Sequence, residues 1–315
     1  MGSISTANPA LAAGSYQYAI RAAPAAGEGG CGMRDLDHGM DLPGTPEDLA
    51  YQAKLLSRFF PSLAVQLRTA LSDLYLAADA LVPEDARDFD PELDRNLAVL
   101  DLNYYRLLRL AGNLSAAADL GEPLDPPGED RDIVAETELV CRETESLARL
   151  LGLTLRFRCR KSSHFCALHR DAVRQILLQL LSNAFKFTPE GGEVTVSLDI
   201  GGGWVRLQVA DNGSGIPEER KGALFDRYLR ADRQDLPPYG LGLGLPICRH
   251  LAEGHGGRVL AESRSGKGTR ITVMLPDRQT GKLALSDRPI DYGGGFNHTL
   301  LGLADALPAK AFQNL

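Results

Sequence analysis

Apolar residues recur every seven positions in two stretches of the N-terminal half. Within residues 45–82 one row is Leu49, Leu56, Leu63 and Ala70, and a second row, four residues on, is Ala53, Phe60, Leu67 and Leu74. Two such rows form a seam along one side of a long helix. Thr45-Pro46-Glu47-Asp48 supplies its start: a capping threonine, proline in the first turn, and acids at the positive end of the helix dipole. Pro61 is expected to kink the run. Residues 83–91 hold two prolines and four acids and predict a turn. Residues 92–119 repeat the pattern with Leu93, Leu100, Leu107 and Leu114, and with Leu97, Tyr104, Ala111 and Ala118. Two amphipathic helices joined this way make an antiparallel hairpin. A lone hairpin cannot bury both stripes. A dimeric four-helix bundle can, so a homodimer through residues 45–120 is the expectation. The alternative is a monomeric hairpin packed on the domain that follows.

The rest of the chain changes period. Residues 1–44 are rich in Gly, Ala and Pro and are expected to be poorly ordered, with a short local element near 16–21. Residues 121–131 read as a proline- and acid-rich linker. Residues 132–276 then alternate: helix 133–151, strand 153–160, helix 172–187, strands 193–198 and 205–209 around Gly-Gly-Gly at 201–203, helix 243–252, and strands 258–262 and 270–275. The fold class is therefore α+β, a helical hairpin followed by an α/β sandwich whose mixed sheet is covered on one face by helices. Residues 277–315 read as an irregular tail.

Composition narrows the class. The 315 residues suffice for two modest domains, and 44% hydrophobic with 24% charged residues is ordinary for a protein that buries a core. A net charge of −7 disfavours a nucleic-acid surface. The five cysteines, at 31, 141, 159, 166 and 248, form no CxxC pair, which argues against a disulfide framework or a zinc site. No apolar stretch reaches the ~20 residues that span a bilayer. No membrane span and a cytoplasmic location are the expectations.

Four short motifs carry the chemistry. Leu-Leu-Gln-Leu-Leu-Ser-Asn-Ala-Phe-Lys-Phe-Thr (177–188) places Gln179, Asn183 and Lys186 on one helix face. A carboxamide oxygen suits Mg²⁺ and a lysine suits phosphate, although an ordinary polar face has the same pattern. Asp-Asn-Gly-Ser-Gly-Ile-Pro (211–217) follows an apolar strand. There Asp211 can accept a hydrogen bond from the exocyclic amine of adenine, and Gly213 and Gly215 permit close approach of the backbone; the plainer reading is a turn. Gly-Leu-Gly-Leu-Gly-Leu (240–245) sets Gly240, Gly242 and Gly244 before a helix whose first N–H groups favour phosphate. Gly-Lys-Gly-Thr (266–269) lies between two strands. No GxxxxGK[ST] motif is present, which excludes a P-loop.

In this order the four motifs resemble the ATP-binding domain of sensor histidine kinases, part of the superfamily that also contains DNA gyrase and a heat-shock chaperone. The resemblance implies ATP and Mg²⁺ as ligands, with Asn183 on the metal, Lys186 on phosphate, Asp211 reading adenine, and Thr269 in the water network beneath it. It implies a mobile lid near 229–241 carrying Arg230 and Arg233, beside an aromatic box at Phe225 and Tyr228. It also implies a partner, either a response regulator or a histidine-bearing protein.

Two departures qualify it. The family's first helix carries Ser-His-Glu-Leu-Arg-Thr-Pro-Leu, and the matching stretch here is Ala64-Val65-Gln66-Leu67-Arg68-Thr69-Ala70-Leu71. Val65 stands where the phosphoacceptor histidine belongs, and valine has no nucleophilic atom. Gln179 stands where the kinases have Asn and the water-activating ATPases have Glu, and glutamine cannot act as a general base. The leading reading is a histidine-kinase-like protein of two-component signalling whose acceptor is not its own hairpin. The alternative is an ATP-binding pseudokinase acting as a regulatory module. An ATP-hydrolysing machine would need a base absent from position 179.

Overall fold

Helix α1 runs from Pro46 to Asp79 without a break at Pro61, so the expected kink does not end the helix. The computed structural model describes residues 46–82, 86–120, 122–221, 224–225, 242–284 and 297–313, with residues 46–58 and 220 described by backbone alone. The expectations for residues 1–44, including the element near 16–21, lie outside the described residues. A single turn of helix, α2 (Ala86–Phe89), follows in the predicted turn region. Helix α3 (Pro91–Ala118) starts where Asp90 accepts from the N–H groups of Glu92 and Leu93, with proline at its first position. Tyr75 stacks on Tyr104 with ring centroids 4.3 Å apart and closes the hairpin.

The two predicted rows on each helix part company. Tyr104, Ala111 and Ala118 are buried, whereas Leu100 and Leu107 are exposed, as are Leu63, Ala70 and Leu74 on α1. The buried side of α3 does not serve the hairpin alone. Ala98, Leu102, Tyr104 and Tyr105 join the same core cluster as Ile176, Leu177 and Leu181 of the following domain. The hairpin therefore packs on that domain and leaves Leu63, Leu74, Leu100 and Leu107 exposed, whereas Leu114, in the same row as Leu100, is buried.

A short strand, β1 (Glu129–Asp132), pairs antiparallel with β3 (Phe165–Leu168). Neither was evident in the sequence, because each has four residues and no clean alternation. Asp132 ends β1 and caps helix α4 (Ile133–Leu150) through the N–H groups of Val134 and Ala135. Strand β2 (Thr154–Cys159), helix α5 (Ala172–Phe187), and strands β4 (Glu193–Gly201) and β5 (Trp204–Asp211) follow. A turn of helix, α6 (Glu218–Lys221), comes next, then helix α7 (Gly244–Gly254) and strands β6 (Arg258–Ser263) and β7 (Thr269–Pro276).

The five-stranded sheet has the order β2-β4-β5-β7-β6, with β2 and β4 parallel and the other neighbours antiparallel. It is the mixed sheet expected. Alternation decides its faces: Val194, Val196, Leu198, Val205, Leu207, Val209, Ile271, Val273 and Leu275 are buried, against α4, α5 and α7. Polar residues between them line the other face, where Gln208 Nε2 donates to Thr272 Oγ1 at 3.0 Å.

The expectation of an irregular tail from residue 277 is corrected. Asp130 accepts from Thr280 N, Thr280 Oγ1 and Gly281 N, which straps residues 280–281 to β1. Farther on, Asn297 caps helix α8 (His298–Leu303), and a 3-10 turn, Ala309–Phe312, follows. Leu303, Leu307 and Phe312 are among the most deeply buried side chains of the protein. The apolar residues here are too few and too irregularly spaced to show helical period. Their partners lie in α3 and α5, far away in sequence.

Candidate nucleotide site

Helix α5 presents its three motif residues unequally. Its apolar face is sealed by Ile176, Leu177, Leu180, Leu181 and Ala184. Asn183 and Lys186 are half-buried at the edge, and the Lys186 ammonium sits 5.7 Å from the centroid of the Phe187 ring. Gln179 is buried. A Cβ on Gly244 would lie 2.9 Å from Gln179 Oε1, so this carboxamide sits directly over the start of α7. No side chain caps that start, which leaves its first N–H groups for another acceptor.

Asp211 ends β5 and ties three of the motifs together. Its Oδ1 accepts from Gly213 N at 2.9 Å and from Thr269 N at 3.2 Å. Among the described residues no donor reaches Oδ2, so one oxygen fixes the carboxylate and the other is available. Burial pushes the carboxyl above the ordinary aspartate range, and the two N–H donors offset part of that rise.

The glycines around Asp211 serve the protein's own packing. A Cβ on Gly213 would lie 2.3 Å from the Phe187 carbonyl oxygen, and one on Gly215, where φ is +67°, would lie 2.1 Å from that of Arg264. They let the loop pack against the protein's own backbone, between the end of α5 and the β6–β7 turn.

Ser263, which the sequence did not single out, joins the pieces. Its hydroxyl accepts from Ile216 N at 2.8 Å, reaches the Gly268 carbonyl at 2.9 Å, and lies 2.9 Å from Thr269 Oγ1. Thr269 is thus held to Asp211 through its N–H and to Ser263 through its hydroxyl.

The hairpin reaches this same region. Arg109 of α3 is buried, donating from Nη1 to Ser182 Oγ at 2.7 Å and from Nη2 to Gln179 Oε1 at 2.9 Å. Gln179 Nε2 donates in turn to Asn113 Oδ1 at 2.7 Å. Asp305 Oδ2, 3.5 Å from Nη1, supplies the opposite charge. Burial pushes the guanidinium below its ordinary value and Asp305 opposes this, while Nε finds no partner among the described residues. Nothing in the sequence marked Arg109, Asn113 or Asp305, since none lies in a motif and each acts across 66 residues or more.

Other expected residues fall elsewhere. Gly242, with φ +71°, leads into α7. Arg230, Arg233, Gly240, Tyr228 and the lid at 229–241 lie outside the described residues. Phe225 packs against the core. Val65 is 60% exposed, and its carbonyl accepts from the Thr69 hydroxyl. Among the described residues no cluster of three His, Cys, Asp or Glu side chains could hold a metal. Nor is any helix there long and apolar enough to cross a membrane.

Residues 169–279 match the family model described as histidine kinase-, DNA gyrase B-, and HSP90-like ATPase. The sensor histidine kinase WalK of Bacillus subtilis is 30% identical over 239 residues, covering 70% of this chain and 36% of that protein. The histidine protein kinase DivJ of Caulobacter vibrioides is 45% identical over 107 residues, 34% of this chain and 18% of that one. The chain thus spans at most about a third of the length of these curated relatives. The crystal structure of full-length ShkA in complex with AMPPNP aligns with a TM-score of 0.51 at 24% identity, over 75% of this chain and 46% of that one, a likeness of fold.

Proposed function

Since residues 169–279 form an ATP-binding catalytic domain of the histidine kinase type, we propose that this protein binds ATP·Mg²⁺ in cytoplasmic two-component signalling. The observation that carries the reading is the Asp211 carboxylate. One oxygen is pinned by Gly213 and Thr269, and the other is left to accept from the adenine amine. Asn183 and Lys186, on the adjoining edge of α5, would take the metal and the phosphates. Magnesium needs few protein ligands when phosphates supply the others, so a single carboxamide fits. The ion would neutralise phosphate charge. The glycine-flanked start of α7 offers uncapped N–H groups to the same phosphates.

Phosphoryl transfer needs an acceptor nucleophile in line with the terminal phosphate. Val65 has none. The acceptor is therefore a histidine on a partner chain, and a response regulator is the downstream partner. The protein would act as a protein-histidine kinase, with its hairpin serving as a homodimer interface through the exposed leucines Leu63, Leu74, Leu100 and Leu107.

One observation favours the second reading, an ATP-binding pseudokinase. Both ends of the Gln179 carboxamide are taken by hairpin residues, so the position beside the phosphates is committed to structure. Incubation with γ-labelled ATP and Mg²⁺, alone and with response regulators or histidine-bearing hairpins, separates the two. Acid-labile, base-stable label on a partner supports the kinase. Nucleotide binding with no label on any chain supports the pseudokinase. Label on this protein's own hairpin would contradict both.

A further inference from the structure

The C-terminal segment 297–313 packs on three elements at once, α3 of the hairpin and α4 and α5 of the nucleotide domain. On α3, Arg106 donates from Nε to the Ala304 carbonyl at 3.1 Å and from Nη2 to that of Leu307 at 3.3 Å. The Phe312 ring lies 5.2 Å from that of Tyr105, and Asn297 N donates to the Tyr105 hydroxyl. On α4, Glu143 accepts from Thr299 Oγ1 at 2.8 Å. On α5, Gly302 lies so close to Leu178 that a Cβ would fall 2.7 Å from its side chain. Asp305 then neutralises Arg109, the α3 residue that holds Gln179.

Gln179 in turn lies over the uncapped start of α7, the phosphate end of the pocket. The hairpin also packs there through Phe60, Ala117 and Leu120 against Leu243 and Ile247. Among the described residues the Asp211 side chain, at the adenine end, has its hydrogen bonds from Gly213 and Thr269 and none from the hairpin.

We propose that residues 297–313 are an intrachain clasp that holds α3 on the phosphate end of the nucleotide pocket, so that its release exposes the space for the terminal phosphate. The clasp rests on the nucleotide reading above and adds regulation to it. A ligand shifts a two-state element only by its differential affinity for the two states. The clasped form takes the adenine and the inner phosphates but obstructs the terminal one. ATP and ADP then bind the wild-type chain about equally, whereas a released chain prefers ATP.

Two partly exposed residues release the clasp without opening the core: Asp305→Asn and Arg106→Gln. Hydrogen exchange on the full chain should show 103–113 and 297–313 opening together, faster in both variants, with β4, β5 and β7 unchanged. Titration with fluorescent ATP and ADP should then show ATP affinity raised about tenfold in the variants, with ADP affinity unchanged. Faster exchange with an unchanged ATP-to-ADP ratio would overturn the gating. So would independent exchange of the two segments. Failure of wild type and variants to bind either nucleotide would overturn the pocket itself, and the gating with it.

Discussion

Arg109 donates to Gln179 at 2.9 Å, joining the helical hairpin to the helix that carries the phosphate-side residues. The bond commits a glutamine that by its position belongs to the site. It also buries a guanidinium whose neutralising partner, Asp305, comes from the other end of the chain. Removing one member of a buried, charged cluster costs more than the cluster is worth, because the others stay desolvated. Arg109→Ala should lower the unfolding free energy by about 3 kcal/mol. Asp305→Asn takes away the counter-charge but leaves the Arg109 bonds to Ser182 and Gln179 in place, so it should cost less, about 1–2 kcal/mol. Urea unfolding of the two variants measures the difference, and equal costs would show that Arg109 is not held as described.

Two glycines with nearly the same positive φ separate strain from packing. Gly215 and Gly266 have φ of +67° and +70°. A Cβ at Gly266 meets nothing within 4 Å, whereas one at Gly215 meets the Arg264 carbonyl. Gly266→Ala should cost only the left-handed penalty, about 1–2 kcal/mol. Gly215→Ala should cost clearly more and displace Asp211 as well, reducing nucleotide binding. Thermal unfolding beside a binding titration reads both.

The raised Asp211 carboxyl predicts a pH dependence. Adenine recognition needs the ionised form, so ATP affinity should fall on acidification through the raised value, sooner than an ordinary aspartate would allow. In the free protein the sign for stability is the opposite. The folded form holds this proton more tightly than the unfolded chain, so the group favours folding in acid and loses that contribution as pH rises through its folded value. Titrations across acidic pH, followed by intrinsic fluorescence for stability, check both arms.

The exposed leucines of the hairpin predict association. Leu74 is 67% exposed, and Leu63, Leu100 and Leu107 are exposed as well. Leu63→Glu combined with Leu107→Glu should turn a dimer into a monomer in sedimentation velocity without lowering the melting temperature of the nucleotide domain. A wild-type monomer at micromolar concentration would sink the dimer.

Most of the sheet domain was legible in the sequence. Strict alternation in β4 and β5 and the long apolar stripe of α5 gave elements and faces together, because period and burial report the same thing. The motif residues around Asp211 were legible too, since turn glycines and a strand-end acid are local features. Ser263 was not, being one serine at a strand end whose role depends on two distant loops. The heptads announced the hairpin but not how its rows divide, because the pattern does not say what each row packs against. Helix α8 and the Phe312 turn were hidden for the same reason: their burial is created by α3 and α5.

The central claim is an ATP pocket read by Asp211, and a calorimetric titration of ATP·Mg²⁺ into wild type and Asp211→Asn tests it most directly. Wild type should bind and the variant should not, while circular dichroism and a melting curve show the variant's fold intact. An unchanged affinity in Asp211→Asn would contradict the claim.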